Sequence, residues 1–151
     1  MMEFKTLRLT LDHIAEVAEL EKICFSSPMS EGNLKALLAL GIGDGFVSIE
    51  TKSAKVAAYG GVIVAGGEAQ VLNVAVDPEF RRLGLGRNIM ERIIELSQER
   101  EAEFITLEVR EHNCPAVKLY ESLGFYIAGR IKGYYKNPSD DALILKKDLI
   151  H

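Results

Sequence analysis

The chain is poor in cysteine. Only Cys24 and Cys114 are present, far apart, which excludes a disulfide-stapled scaffold and leaves two expected free thiols. No apolar run is long enough to span a membrane; the one at Val62 to Ala65 is short. The opening residues, MMEFKTLRL, alternate like a strand and do not read as a signal peptide, so a cytoplasmic protein without a membrane partner is expected. Basic residues are not in excess. The net charge of −4 argues against a general nucleic-acid binder, which is usually basic. The three histidines, His13, His112 and His151, lack metal-ligand spacing, so they read as solvated and no metal is expected. Repeats, low-complexity tracts and linkers are missing as well. The 151 residues therefore read as one domain, residues 1–151, long enough to bury a sizeable core.

What is present is a stretch from Val71 to Ile94, VLNVAVDPEFRRLGLGRNIMERII. It opens as an apolar strand, turns at Asp77-Pro78, passes through a loop with Arg81, Arg82, Gly84, Gly86 and Arg87, and enters a helical pattern. A helix start exposes unpaired N–H groups and the positive end of its dipole, glycines allow close backbone approach, and arginines add charge-assisted hydrogen bonds. Such a loop suits a phosphate-bearing ligand; its other reading is a glycine-rich turn with solvated arginines. The lysine and hydroxyl pair of a P-loop is missing, which argues against a nucleotide triphosphatase.

The remaining pattern gives the order of elements. Phe4 to Leu9 reads as a strand, followed by a helix capped by Asp12, with Glu21 on or near its apolar stripe. After Ser26-Ser27-Pro28, Ser30 with Asn33 opens a second helix. Phe46 to Glu50, Lys55 to Ala65 and Ala69 to Val76 form an antiparallel meander, and a helix follows from about Gly84 to Arg100. In the next strand, Phe104 to Arg110, the residues Ile105, Leu107 and Val109 face one way, and Thr106, Glu108 and Arg110 the other. Asn113 and Pro115 start a helix with the stripe Ala116, Leu119, Tyr120 and Leu123, which Gly124 closes. Two strands, Phe125 to Ile131 and Ala142 to Lys146, end the chain around a loop at Lys136 to Asp141. The fold class is α+β, or mixed α/β.

Arg81-x-x-Gly84-x-Gly86, after a strand ending Asn73-Val74-Ala75-Val76-Asp77-Pro78, resembles the acetyl-coenzyme A loop of the GNAT superfamily of N-acetyltransferases. Leu107-Glu108-Val109-Arg110, then Asn113, Ala116 and Leu119 to Phe125, with Gly133-Tyr134-Tyr135 and Asp141-Ala142, is similar to the ribosomal-protein-alanine N-acetyltransferase group. The resemblance implies a mostly antiparallel central sheet with one splayed parallel pair and about four helices. It implies Glu108 as general base and Tyr120 as general acid. It implies acetyl-coenzyme A (acetyl-CoA) as cosubstrate, held by the backbone of Val74, Ala75 and Val76, by the loop Arg82, Leu83, Gly84, Leu85, Gly86 and Arg87, and by Asn113. Glu21, which could hold an incoming ammonium group, and Tyr134 and Tyr135, which could wall a peptide groove, are its substrate-side candidates. Met29 stands where that group usually has tryptophan, a residue this chain lacks altogether, and Leu83 stands where a basic residue is common.

Elementary chemistry fits those roles. A protein α-amino group has a pKa of about 8, against about 10.4 for lysine, so it is more readily neutral and nucleophilic. A carboxylate can take its proton, a phenol of pKa about 10 can protonate a thiolate of about 8.5, and a free strand N–H can meet the oxyanion. Each residue also has a plainer reading: Glu108 ion-paired with Arg110, Tyr120 a core tyrosine, Asn113 a helix cap, Glu21 a salt bridge, and Tyr134 and Tyr135 strand packing. The expected activity is acetyl transfer to a protein N-terminus, by resemblance the terminal alanine of a small-subunit ribosomal protein, by a monomer or weak homo-oligomer. The rivals are acetylation of lysine side chains or small amines, and a non-catalytic coenzyme A sensor.

Overall fold

The computed structural model describes residues 2–149. His151, read above as solvated, lies outside them. The elements run β1 Phe4–Arg8, α1 Ile14–Cys24, α2 Glu31–Ala39, β2 Gly43–Glu50, β3 Val56–Ala65, β4 Glu68–Val76, α3 Leu85–Glu99, β5 Phe104–Arg110, α4 Cys114–Ser122, β6 Tyr126–Tyr135 and β7 Asp140–Asp148. Among the described residues the strands form one sheet in the order β1-β2-β3-β4-β5-β7-β6, and only the β4–β5 pair is parallel. The expected mixed α/β architecture, with a mostly antiparallel sheet, one splayed parallel pair and four helices, is the one observed.

β3 is apolar almost throughout because both its faces are covered. On one face Ile14, Val17, Leu20 and Leu34 from α1 and α2 pack with Val47, Tyr59 and Ala75. On the other, Leu85, Ile89, Met90, Ile93 and Leu96 of α3 join Tyr120 of α4 over Ala58, Val62, Val71, Ile105 and Leu107. Gly60 lets α3 lie directly on the sheet; a Cβ there would stand 2.6 Å from Ile89 Cγ2. Of the stripe expected on α4, Tyr120 is buried and Ala116, Leu119 and Leu123 are half-buried against the same core.

The first helix does not take Asp12 as its cap. The chain turns one residue pair earlier, where the Thr10 amide donates to His13 Nδ1 at 3.0 Å, so His13 serves a cap and is not simply solvated. The last two strands are longer than their apolar runs suggest. β6 continues past Ile131 through an irregular register at Gly133, whose amide donates to Asp141 Oδ1 at 2.8 Å. The expected loop shrinks to a four-residue turn, residues 136–139, which contains a cis Asn137-Pro138 bond.

Two irregularities prepare the site. β4 and β5 pair only from Glu68–Phe104 to Gln70–Thr106; beyond that they part, and the edge of β4 from Val71 to Val76 has no strand beside it. β4 also holds one more residue than β3 between the Val62–Val71 and Gly60–Val74 pairs. A bulge of this kind shifts the inward–outward phase. Val71 and Val74 thus both face α3, while Asn73 turns to α1.

Candidate active site

The parting of β4 and β5 opens a cleft of about 530 Å³. Val71 to Val74 form one wall and Leu107 to Arg110 the other, with Asn113, Ala116 and Tyr120 of α4 on one side and Cys24 to Ser27, Tyr134, Tyr135 and Lys136 across from them. The unpaired edge of β4 leads towards the basic loop. Asp77 N donates to Ala57 O on the β3 side, so by alternation the peptide groups of Val76 and Val74 point into the opening and those of Ala75 point to β3. The Val76 carbonyl already accepts from Arg81 Nε at 3.2 Å and Cys24 Sγ at 3.5 Å.

The loop beyond has an unusual backbone. Arg82 sits at φ +65° and Gly84 at φ +80°, the latter as the N-cap of the fifteen-residue α3. Gly84 has no side chain to satisfy the first-turn N–H groups, so these stay free at the positive end of the helix. Leu83 is exposed, whereas the Leu85 side chain belongs to the core. Gly86 packs between Val76 and Leu119. The arginines divide their work: Arg81 is held by Val76 O, Arg87 donates to Ser122 Oγ at 2.8 Å, and Arg82 is exposed. A strand edge with open amide groups, ending at an uncapped helix start beside two arginines, suits an extended amide-bearing arm that ends in phosphates.

Glu108 and Tyr120 both line the cleft. Glu108 is exposed on β5, and Arg110 is not its partner. The Arg110 guanidinium instead donates to Pro138 O at 2.7 Å, Lys136 O at 3.1 Å and Ser26 Oγ at 3.3 Å, and lies 4.4 Å from the centre of the Tyr135 ring. It therefore ties the turn after β6 to the bend after α1 and leaves Glu108 without a cationic partner among the described residues, bonded instead by the Tyr134 hydroxyl. Tyr120 is 8% exposed, packed edge-on against Phe125 at 6.0 Å. Burial pushes its phenol up to about 12, and no described protein group bonds its hydroxyl. Asn113 Oδ1 accepts from Ala116 N at 3.4 Å and caps α4, while its side chain borders the cleft.

A second recess, about 280 Å³, adjoins the first and is lined by Met29, Gln70, Val71, Leu72, Asn73, Glu108 and Tyr134. Glu108, Tyr134 and Val71 to Asn73 border both spaces. Tyr134 and Tyr135 stack edge-to-face at 5.0 Å beside Glu108. The carboxylate raises the Tyr134 phenol; burial first, then Glu108, pushes Tyr135 up to about 12. Glu21 corrects both sequence readings: it is neither presented to an ammonium group nor in a surface salt bridge. It is 0% exposed and lines neither space, and its oxygens accept from Tyr59 Oη, Asn73 Nδ2 and the Met29 amide. Of the histidines, His112 is bonded to Asp140 at 2.8 Å, and this carboxylate raises its pKa.

Sequence reasoning gave no role to Asn73, Tyr59, Cys24 or Ser26, and offered Arg110 only as an ion-pair partner in the plainer reading of Glu108, a contact the structure does not make. Asn73 carried a signal, as the one polar residue in the run Val71 to Val76, where a buried amide implies a buried partner. Tyr59 sits in an unbroken apolar run and carried none.

Proteins of known family are similar to this chain. The model of the acetyltransferase (GNAT) family matches residues 14–125. A ribosomal protein bS18-alanine N-acetyltransferase of Escherichia coli (strain K12) is 40% identical over 97 residues, 63% of this chain and 66% of that protein. A Bacillus subtilis (strain 168) protein, provisionally named as the same enzyme, is 34% identical over 137 residues, 91% of this chain and 90% of that one. The crystal structure of the Escherichia coli ribosomal-protein-S18-alanine N-acetyltransferase superposes with a TM-score of 0.88 at 30% identity, covering 99% of this chain and 96% of that chain. A splayed strand pair, a basic loop opening a helix, and a match over most of the sequence converge on one assignment: the chain belongs to the acetyltransferase (GNAT) family and is an N-acetyltransferase.

Proposed function

We propose that the chain transfers an acetyl group from acetyl-CoA to the α-amino group of a protein N-terminus, and that its acceptor is the terminal alanine of a small-subunit ribosomal protein. The observation that carries this reading is the position of Glu108, on the border between the larger cleft and the smaller recess, with Tyr120 in the larger one. Two spaces that meet at a carboxylate held by a tyrosine hydroxyl and by no cation among the described residues suit a donor and an acceptor arriving from opposite sides.

Acetyl-CoA supplies an acetyl thioester when bound. The open edge at Val74 and Val76, with Ala75 between them, lines its arm; the loop Arg82 to Arg87 receives its phosphates, with Arg82 and Arg87 as the charges; Asn113 borders it. Glu108 takes the proton that leaves the acceptor amine, directly or through water. Tyr120 stays protonated at neutral pH, since its phenol is held at about 12, and gives its proton to the departing sulfur. The same burial that raises the phenol raises the basicity of a thiolate beside it, which keeps the transfer favourable. An N–H on the open edge of β4 meets the developing oxyanion. The names of the relatives support the acceptor, and the low pKa of an α-amine relative to lysine supports an N-terminus.

The test is a mass-spectrometric comparison of protein N-termini in cells with and without the protein, joined to assays on peptides with free or blocked N-termini. A ribosomal-protein terminus that loses its acetyl group, and turnover of free-amine peptides, are expected. Modification of blocked, lysine-bearing peptides alone would overturn the acceptor.

A further inference from the structure

Glu21 is a carboxylate buried at 0% exposure with no lysine or arginine among its partners, and the chemistry above does not use it. Burying such a group is costly unless its oxygens are satisfied. Here they are: Tyr59 Oη donates from β3, Asn73 Nδ2 donates from the β4 bulge at 2.9 and 3.1 Å, and the Met29 amide donates from the bend before α2 at 2.9 Å. Met29 Sδ also rests 3.9 Å from the Tyr59 hydroxyl. One side chain on α1 thus joins three separate segments.

Two of those segments are walls of one space. Asn73 and Met29 both line the smaller recess, across which stand Glu108 and Tyr134. Neither wall is regular structure: Asn73 lies in a bulge, and Met29 lies between α1 and α2. Their positions therefore depend on side-chain bonds, and Glu21 supplies them. We infer that Glu21 is a positioning residue that sets the acceptor recess, fixing Asn73 and the main chain at Met29 against Glu108 without touching the acceptor. This rests on the recess being the acceptor's seat.

Glu21→Gln keeps the shape but replaces one acceptor oxygen with an amide, so Asn73 keeps one of its two bonds and, with the amide on the Met29 side, the Met29 amide loses its partner. The expected result is a KM for acceptor peptide raised at least roughly tenfold, since small misplacements near a reacting centre carry large penalties. The KM for acetyl-CoA should change less than about twofold, because none of the released groups belongs to the basic loop. Exchanging the pair, Glu21→Gln with Asn73→Asp, restores an amide–carboxylate bond and should recover most of the peptide KM. If both KM values rise together, or kcat falls while the peptide KM holds, Glu21 is a core residue only and the inference is overturned. Should Glu21→Gln not fold, Asn73→Ala, at the half-buried rim, carries the same expectation. If the wild type modifies only blocked, lysine-bearing peptides, the N-terminal reading falls, and the same comparison of KM values on that acceptor still decides the role of Glu21.

Discussion

Glu108 and Tyr120 differ in how their surroundings act on them, and that sets what their substitutions should do. Glu108 is exposed and free of Arg110. Glu108→Gln should lower kcat/KM by roughly 10²- to 10⁴-fold near neutral pH. The loss should shrink above about pH 8, where more of an α-amine is already neutral. Steady-state rates across a pH series measure this, and a loss that is the same at every pH would remove Glu108 as the base. Tyr120 is buried, and its phenol is held at about 12. It therefore gives no alkaline limb to kcat below about pH 11, whereas an unperturbed tyrosine would give one near 10. A tyrosine-dependent fall between pH 9 and 10, absent in Tyr120→Phe, would contradict the burial.

At the scale of elements, α3 has two separable jobs. Its inner face packs on β3 over Gly60, where a Cβ would come 2.6 Å from Ile89. Gly60→Ala should cost about 1–3 kcal/mol by overpacking. Ile89→Ala, which empties a fully buried position, should cost about 2–5 kcal/mol. Denaturant midpoints read both. The N-terminus of α3 behaves differently. Nothing lies within 4 Å of a Cβ built on Gly84, but its φ of +80° disfavours any side chain. Gly84→Val should cost about 1–3 kcal/mol of backbone strain and raise the KM for acetyl-CoA well beyond the KM for peptide. A rise confined to the peptide would detach the loop from the phosphates.

At the scale of the whole molecule, Asp44 ties the edge of the sheet to the end of α3. Its carboxylate accepts from Arg8 of β1 and from Arg100 after α3 at 2.7 Å, and from Gly45 N at 2.9 Å. Burial works to raise the Asp44 pKa, but Arg8, the Gly45 amide and Arg100 outweigh it and hold the carboxyl below its usual range. A depressed carboxylate pKa stabilises the fold above the unfolded value of about 3.9, and that stabilisation is lost as the pH falls through the folded value. Asp44→Asn should lower stability by roughly 1 kcal/mol at pH 7, since Arg8 is half exposed. The variant and the wild type should converge at a pH low enough to protonate the folded carboxyl. Unfolding curves at the two pH values test this, and a constant gap would mean that the cost is one of packing.

By itself the sequence determined the elements and singled out the basic loop as a candidate ligand site. Local rules suffice for both: alternation marks β5, Asn113 with Pro115 starts α4, and glycines with arginines ahead of an amphipathic run mark a ligand-binding helix start. Only the tertiary structure decided which way the polar side chains point. Arg110 shares a strand face with Glu108, yet the strand's end bends it to the carbonyls of residues 136 and 138. Glu21 is a substrate contact by family resemblance, yet it is buried beneath Asn73 and Met29. The physical reason is that these partners come from segments far apart in the chain, and a one-residue bulge in β4 reverses the direction of the side chain at Asn73. No periodicity records such a bulge, because it exists only in the pairing of β4 with β3.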